Sequence, residues 1–307
     1  MEKILVILGP TATGKSDLAV EIAKSVQDRS ASGGKWKGAE VISADSRQVY
    51  KGLDIGTGKI TKKEMDGVPH YMLDVVSPRS RFSVAEWQKQ TQKIIENILS
   101  RGKLPIICGG TGFYIQSIVD DLSLPEVPPN KGLRERLEKK TTLELFEILK
   151  KLDPKRAKTI DHKNPVRLVR AIEIATKIGK VPPLKLKSKT NFRILQIGLT
   201  LPDEKLKERI KTRLLKRLKA GMLKEAEKLH EKGLSWNRMF ELGLEYRYES
   251  LLLQKKISRE EFIEKLNTEI WHYARRQKQW FKRDKDIKWF APTETKKIEK
   301  VVIAFLK

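Results

Sequence analysis

The fold of this 307-residue chain is decided near its start by a segment that reads Ile4-Leu5-Val6-Ile7-Leu8-Gly9-Pro10-Thr11-Ala12-Thr13-Gly14-Lys15-Ser16. Its continuous apolar run is typical of a strand that is buried on both faces. The eight residues that follow match the pattern of a phosphate-binding loop, and apolar residues then recur at helical spacing over residues 18–26. This strand–loop–helix order is the context that such a loop requires. The segment therefore predicts an α/β fold, a P-loop NTPase-like parallel sheet flanked by helices.

The chemistry of such a loop follows from its backbone. Its N–H groups converge on an anion at the positive end of a helix, while the lysine adds a point charge and the serine hydroxyl can hold Mg²⁺. The candidate phosphate-binding residues are Gly9, Pro10, Thr11, Ala12, Thr13, Gly14, Lys15 and Ser16. The loop alone leaves its ligand open, because it accepts a nucleotide or any other diphosphate group.

Further strands are predicted along the chain. Residues 41–43, residues 104–108 and Phe192–Leu199 are short apolar runs, and residues 87–99 between the first two have a helical pattern. Strands that alternate with helices favour a parallel sheet with helices on both faces. The Gly/Ser-rich residues 30–38 predict a surface loop.

Residues 119–183 interrupt this alternation. They begin with a proline-rich linker and then show helix signals, among them Asn164-Pro165 at a helix start and Gly179 at its end. We predict an all-helical insert over residues 119–183, and a core domain formed by residues 1–118 and 184–307. Everything after Pro202 is predicted to be helical, including a long helix that begins with a Ser258–Glu261 capping box.

The charge is large and uneven. The chain has 64 Lys and Arg against 39 Asp and Glu, a net charge of +25. Residues 1–120 carry only +4 of this, and residues 121–307 carry +21, which suggests that the second part meets a polyanion such as nucleic acid. A lysine-rich solvated surface of the kind found in thermophile proteins is the alternative.

Composition excludes several classes of protein. With 39% apolar and 34% charged residues the chain is globular. Its single cysteine excludes a disulfide framework and a cysteine-rich zinc site. Neither a membrane-spanning run nor a signal-peptide layout is visible, so we expect a cytoplasmic protein without a membrane partner.

Two polar positions follow predicted strands on the ligand-binding edge of the sheet. Asp45 ends the second strand, where ligands bind in open α/β sheets, and it is either a carboxylate that holds Mg²⁺ through water or a general base. Gly109-Gly110-Thr111-Gly112 follows the third strand. Its glycines are expected to let a substrate approach the backbone, and Thr111 offers a short hydroxyl group.

Together these motifs resemble the tRNA dimethylallyltransferases, also called tRNA isopentenyltransferases. The resembling segments occur in the order that the family has, over nearly the whole chain. The segment over residues 42–59 is the most diagnostic, because no common kinase carries it. Besides the phosphate loop, the segments are Ile42-Ser43-Ala44-Asp45-Ser46-Arg47-Gln48-Val49-Tyr50-Lys51-Gly52-Leu53-Asp54-Ile55-Gly56-Thr57-Gly58-Lys59, Gly109-Gly110-Thr111-Gly112-Phe113-Tyr114, Asn164-Pro165-Val166-Arg167-Leu168-Val169-Arg170-Ala171-Ile172-Glu173 and Arg276-Gln277-Lys278-Gln279-Trp280-Phe281-Lys282-Arg283.

The resemblance implies an activity and site residues. The activity is transfer of a dimethylallyl group from dimethylallyl diphosphate to the N6 amine of the adenosine 3′ of the anticodon in tRNA, with Mg²⁺ as cofactor. Asp45 is implied as the general base, and Thr111 as the residue that orients the amine. The loop with Arg213 is implied to bind the diphosphate, and Ser16 the Mg²⁺. The implied tRNA contacts are Asp45, Ser46, Arg47, Gln48, Thr111, Arg134, Val166, Arg167, Leu168, Val169 and Arg170.

Other functions stay open at this point. The phosphate loop by itself favours a nucleotide-dependent kinase or NTPase that acts on RNA. A non-catalytic RNA-binding protein, or an enzyme that prenylates free adenine nucleotides, would also carry parts of the pattern. The basic second part of the chain argues for a polymeric acceptor, namely the anticodon stem-loop, and we expect the protein to act as a monomer.

Overall fold

In a computed structural model of the chain, residues 2–31, 34–183, 185–186 and 192–307 are described. The chain forms two compact units, one of residues 1–119 with 190–307 and one of residues 120–189. The predicted boundary at residue 184 falls on a residue outside the described part. No helix in the described ranges combines the length and the apolar character that crossing a membrane requires.

The larger unit is built on a parallel sheet of six strands, which are β1 Glu2–Leu8, β2 Ala39–Ala44, β3 His70–Tyr71, β4 Leu104–Gly109, β7 Phe192–Leu199 and β8 Lys288–Phe290. Their order in the sheet is β3-β2-β4-β1-β7-β8. The helices of this unit are α1 Lys15–Ala31, α2 Lys62–Met65, α3 Val84–Ser100, α4 Gly112–Val119, α9 Asp203–Lys219, α10 Met222–Glu231, α11 Trp236–Leu242, α12 Leu244–Leu253, α13 Arg259–Phe281 and α14 Thr295–Leu306.

The apolar run at the chain start is explained by packing on both faces of this sheet. Alternate residues of β1 enter different cores: Ile4 and Val6 pack on the side of α3 and α4, whereas Leu5 and Ile7 pack on the side of α1 and α14. Because both faces are buried, the strand needs no polar alternation. The prediction of a parallel α/β sheet is confirmed.

A third core fixes the two helices that frame the site. Leu206, Ile210 and Leu214 of α9 pack against Phe262 and Leu266 of α13, both of which are fully buried. The capping box of Ser258 and Glu261 begins α13 as predicted. These helices therefore present their remaining faces to the carboxyl edge of the sheet in a fixed orientation.

The smaller unit is mainly helical. It contains α5 Lys131–Leu137, α6 Thr142–Leu152, α7 Pro154–Ala157 and α8 Pro165–Ile178, together with a short antiparallel ladder of β5 Leu122–Ser123 and β6 Lys185–Leu186. Asn164 caps α8 by accepting from the Arg167 N–H at 3.1 Å, and Gly179 ends it at φ +80°. The start and the end of α8 are as predicted.

Three features differ from the sequence predictions. The insert is not all-helical, because it contains strand β5, which pairs with β6. The chain after Pro202 is not wholly helical, because β8 extends the sheet and only then does α14 follow. Within the predicted surface loop over residues 30–38, α1 continues to Ala31, and Ser32 and Gly33 lie outside the described residues. The short β8 has only three residues and a charged neighbourhood, so no apolar run marks it.

Candidate active site

The candidate site lies where three neighbouring strands end in one row. Leu8 of β1 and Ala44 of β2 are both register partners of Gly109 at the end of β4. The residues that follow these strand ends are the phosphate loop, Asp45 and the glycine turn (residues 109–112). Register alone thus brings together the three motifs that the sequence places far apart.

The phosphate loop has the backbone conformation that its glycines predict. Gly9 adopts φ +138°, and a Cβ there would lie 2.4 Å from the Leu199 carbonyl oxygen. Gly14 adopts φ +89°, and Ala12 is also left-handed at φ +64°. The Thr13 hydroxyl donates to the Pro10 carbonyl oxygen at 2.9 Å. Glycine is required at position 9 for space as well as for φ.

Lys15 folds back over this loop. Its Nζ donates to the Pro10 carbonyl oxygen at 2.7 Å. Burial lowers the pKa of its ammonium group to about 8, and the nearby Arg213 acts in the same direction. A lysine held in this way is poised to exchange a backbone carbonyl for a phosphate oxygen.

Asp45 is oriented by its own loop. Its Oδ1 accepts from the backbone N–H of Arg47 at 2.8 Å and of Gln48 at 3.3 Å. The carboxylate faces the same cavity as Lys15 and the glycine turn. Two backbone donors on one oxygen fix the direction of the carboxylate without any help from a side chain.

Thr111 is tied to the loop that carries Asp45. Its Oγ1 accepts from the Ser46 N–H at 3.0 Å, and its own N–H donates to the Ala44 carbonyl at 3.0 Å. Its side chain also shares a hydrogen bond with the phenol of Tyr273. Burial and then the charge of Asp45 raise the pKa of Tyr273, so the phenol is neutral.

The three glycines of the turn are required by close packing. A Cβ on Gly109 would lie 2.3 Å from the Ala44 carbonyl oxygen, on Gly110 2.2 Å from Gln277 Nε2, and on Gly112 2.2 Å from Trp280 Cδ1. Gly109 and Gly110 also line the cavity. The approach of a substrate to this backbone stays a prediction, and the packing against β2 and α13 is a second reason for glycine here.

These groups line one cavity of about 750 Å³. Its walls combine the phosphate loop, Asp45, the glycine turn and residues of α9 and α13. Arg213 lies on the α9 wall, where desolvation in the cavity and then Arg217 lower the pKa of its guanidinium group. The remaining polar and charged residues of the lining include Ser43, Gln48, Thr57, Glu64, His70, Lys205, Glu208, Arg209, Thr212, Tyr273 and Gln277.

The oxygen groups at this cavity fit Mg²⁺ in one particular way. Ser16 is exposed and lies beside Asp17 on the cavity wall. In the described part of the chain, no group of three or more His, Cys, Asp or Glu side chains could hold a metal ion. Mg²⁺ usually keeps several waters and takes few protein ligands besides substrate phosphates. The residues therefore fit a magnesium ion that a diphosphate brings with it.

The loop over residues 54–58 forms another wall and is held from two sides. Glu225 accepts from the backbone N–H groups of Asp54, Ile55 and Gly56 at 3.1, 2.7 and 3.0 Å. Arg217 donates to the Gly56 carbonyl oxygen at 2.5 Å. Clamped in this way, the loop is a cavity wall whose shape is fixed by Arg217 of α9 and Glu225 of α10.

The predicted tRNA contacts after Asp45 are half-buried. Arg47 Nη1 donates to the Ser46 carbonyl at 3.3 Å, and Gln48 Nε2 donates to the Gly58 carbonyl at 3.4 Å. Ser43 donates to Gln48 Oε1 at 3.4 Å. Gln48 therefore joins the Asp45 loop to the clamped wall, and its side chain lines the cavity.

In the smaller unit, two of the predicted tRNA contacts, Arg134 and Arg170, also bind a buried carboxylate. Glu173 is only 2% exposed, and it accepts from Arg134 Nε and Nη2 at 2.7 and 2.6 Å and from Arg170 Nη1 at 3.3 Å. Arg170 Nη2 also donates to the Val127 carbonyl at 2.9 Å. Burial opposes ionisation of Glu173, but these hydrogen bonds outweigh it and lower the pKa.

The remaining contacts predicted on α8 divide by burial. Leu168 and Val169 lie in the core of the smaller unit, so their side chains are not available to RNA and that prediction is wrong for them. Val166 is 76% exposed. Arg167 is exposed and has Asp161 at 3.6 Å as an ion-pair partner. Only Val166 and Arg167 of this stretch present side chains that RNA can reach freely.

Several residues that shape the site were given no role by the sequence analysis, although Gln277 lies in one of the segments that carry the family resemblance. Gln277 bonds to both the phosphate loop and the glycine turn, Tyr273 to Thr111, and Glu225 to the cavity wall. Gln277 and Tyr273 lie four residues apart, hence on one face of α13, but which face meets the site depends on the third core. Cys108 is buried, and burial raises the pKa of its thiol to about 12, in agreement with an inert core thiol.

The family model and the similar proteins all indicate the same family. The model of the family described as IPP transferase matches residues 48–284. The tRNA dimethylallyltransferase 2 of Treponema denticola is 43% identical over 284 residues, which cover 91% of each chain. A crystal structure of the full-length tRNA isopentenylpyrophosphate transferase of Bacillus halodurans is 32% identical with a TM-score of 0.73, over all of this chain and 97% of the other.

A more distant structure has the same fold. A eukaryotic dimethylallyltransferase acting on tRNA is 27% identical with a TM-score of 0.78, over 96% of this chain and 75% of the other. The family model covers the whole of the helical unit and the part of the larger unit that lies between residues 48 and 284. With its match over most of its length, the chain belongs to the IPP transferase family, as its motifs predict.

Proposed function

We propose that the protein transfers the dimethylallyl group of dimethylallyl diphosphate to the exocyclic N6 amine of the adenosine 3′ of the anticodon in tRNA and releases diphosphate. The observation that carries this proposal is the cavity that the anion-binding loop and the Asp45 carboxylate both line, with the Thr111 hydroxyl bonded to the loop that carries Asp45. Membership of the family and the names of the relatives support the choice of both substrates.

The diphosphate is bound by the loop and its surroundings. Backbone N–H groups of the loop, Lys15 and Arg213 supply the positive field that the negative charges of the diphosphate need. As the bond from carbon to the diphosphate oxygen breaks, charge grows on that oxygen, and donors already in place stabilise it most. Ser16 is the residue that would hold Mg²⁺, which when bound supplies further charge neutralisation to the leaving group.

Asp45 is the proposed general base. The lone pair of the adenine amine is delocalised into the ring, so removal of a proton during attack makes it a better nucleophile. A positioned base contributes roughly 10²- to 10⁴-fold to such a step. Its Oδ1 is held by Arg47 N and Gln48 N, and Thr111, which is bonded to the Ser46 N–H of the same loop, orients the amine.

The acceptor has to leave its stack to reach this cavity. Extrusion of a base costs a few kcal/mol, and phosphate contacts by the basic residues of the chain offset that cost. In the smaller unit, Arg167 is a predicted contact residue whose exposed cation fits such a phosphate contact. Arg134 and Arg170 act mainly by binding the buried Glu173, and they thereby stabilise the fold of that unit.

Asp45→Asn tests the assignment of the base. The variant keeps the shape and the acceptor oxygen, but it cannot take a proton. We expect nearly unchanged binding of tRNA and of diphosphate, with a loss concentrated in kcat. Added Mg²⁺ should restore nothing. Recovery of most of the rate at high Mg²⁺ would instead assign Asp45 to metal binding.

A further inference from the structure

Gln277 joins two parts of the site that no other side chain in the described residues is seen to join. Its Oε1 accepts from the Thr11 N–H at 2.8 Å, and its Nε2 donates to the Gly110 carbonyl at 2.8 Å. The residue is only 6% exposed. One amide thus connects the phosphate loop to the glycine turn that carries Thr111.

The glycine turn is built around this amide. A Cβ on Gly110 would lie 2.2 Å from Gln277 Nε2, so the absence of a side chain at Gly110 is what lets the amide in. The φ of Gly110 is not in the left-handed region. Alanine is therefore compatible with the backbone at this position, and its penalty would come chiefly from the contact with Gln277.

The side chain reaches the loops from a rigid support. Gln277 lies one turn beyond Tyr273, which bonds to Thr111, and the preceding turns of α13 are anchored through Phe262, Leu266 and Ile270. A change at position 277 is therefore transmitted to the two loops rather than absorbed by the helix.

We propose that Gln277 is a positioning residue that sets the phosphate loop and the glycine turn relative to each other, so that one side chain aligns the diphosphate with the acceptor amine. The inference rests on the proposed function for its consequence in catalysis. The structural part of the inference is that the positions of both loops depend on one amide, and this part does not depend on the proposed function.

The chemistry of the two bonds supplies a sharp test. Only a group that donates and accepts at once satisfies both partners. In Gln277→Glu, an ionised carboxylate accepts from Thr11 but faces the Gly110 carbonyl without a proton to donate. A protonated carboxyl group restores both bonds. Burial beside a carbonyl raises the pKa of such a carboxyl group.

We therefore expect the Gln277→Glu variant to lose roughly 10- to 100-fold in kcat at about pH 8 and to regain most of it towards about pH 6. Wild type and the matched control Gln279→Glu, an exposed position on the same helix, should show no such gain. A melting temperature that is equal at both pH values excludes a folding effect. Equal pH profiles for the three proteins would overturn the proposal.

A double-mutant cycle with Gly110 gives an independent readout. Gly110→Ala should weaken binding of inorganic pyrophosphate by roughly 10-fold in wild type, because it expels the amide, and by much less in Gln277→Ala, where the amide is already gone. Additive effects of the two changes would contradict the proposal. Pyrophosphate binding needs no turnover, so this cycle still decides the role of Gln277 if prenyl transfer is never observed. If the two changes are additive while prenyl transfer is observed, only the role of Gln277 is overturned and the proposed function stands.

Discussion

The ammonium group of Lys15 donates to the carbonyl oxygen of Pro10 within the same phosphate loop. The lysine is thus satisfied by its own loop, at a position where an anion would replace the carbonyl. With burial lowering its pKa to about 8, its charge is held more weakly than that of an ordinary lysine. Anion binding at this loop should therefore depend on pH in a range where most lysines do not titrate.

We expect the affinity for inorganic pyrophosphate to fall as the pH rises through about 8. A bound anion favours the charged lysine, so the pKa of Lys15 is higher in the complex. Between the two pKa values the affinity falls by up to roughly tenfold per pH unit. Calorimetric titration across this range measures the effect.

Lys15→Arg is the control, because an arginine keeps its charge throughout and the ionisation of pyrophosphate itself is the same for both proteins. The difference between their slopes reports Lys15 alone. Parallel curves for the two proteins would show that Lys15 stays fully charged, and would contradict the effect of burial.

In the smaller unit, Arg167 and Arg170 should behave differently although they lie on one helix. Arg167→Ala removes an exposed cation, so we expect weaker tRNA binding, a log–log salt slope smaller by roughly 0.7–0.9, and an unchanged melting temperature. Arg170→Ala removes a partner of buried Glu173 and should lower the melting temperature as well. Filter binding at several salt concentrations, with thermal unfolding, checks both.

Equal melting temperatures for these two variants would mean that the bond to Glu173 contributes nothing to stability. If Arg167→Ala left the tRNA affinity and the salt slope unchanged, Arg167 would be a solvated surface cation of α8 and not an RNA contact. The pair therefore separates a structural cation from one that meets RNA, within the same helix.

The clamp on the cavity wall gives a prediction about stability and activity together. Glu225→Ala leaves three backbone N–H groups and the Tyr246 hydroxyl without their shared acceptor. We expect the free energy of unfolding to fall by about 2–4 kcal/mol, since each lost charged hydrogen bond contributes about 1.5–3 kcal/mol and water recovers part of it. Urea unfolding measures the change.

Tyr246→Phe is the milder companion, because it removes one donor and leaves the three backbone bonds in place. It should cost clearly less than Glu225→Ala. If the tyrosine variant were the more damaging of the two, the wall would depend more on the Tyr246 hydroxyl than on the three backbone bonds to Glu225.

Strong local signals were enough to predict much of this molecule. The apolar run of β1, the loop after it and the capping box of α13 each depend on neighbours in sequence, and each lies where it was predicted. The register of β1, β2 and β4 then places Asp45 and Thr111 beside the loop without further information. Parallel strands bring their carboxyl ends to one edge, so this part of the site follows from topology.

The remaining site residues depend on contacts between distant segments. Gln277 meets Thr11 across 266 positions, and Glu225 meets the wall across about 170, so no local pattern shows which groups these two residues contact. Arg134 and Arg170 look like free cations in sequence, and only the burial of Glu173 gives them partners. In α14, Ile298, Val302 and Phe305 have helical spacing and the helix was expected, whereas the short β8 before it has no such local signal.

The most direct test of the central claim is mass analysis of nucleosides from a tRNA anticodon stem-loop after incubation with dimethylallyl diphosphate, Mg²⁺ and the wild-type protein. We predict one dimethylallyl group on the adenosine 3′ of the anticodon, no requirement for ATP, and no product from a stem-loop that carries guanosine there. The account would be contradicted by an unmodified adenosine together with ATP hydrolysis stimulated by the same RNA.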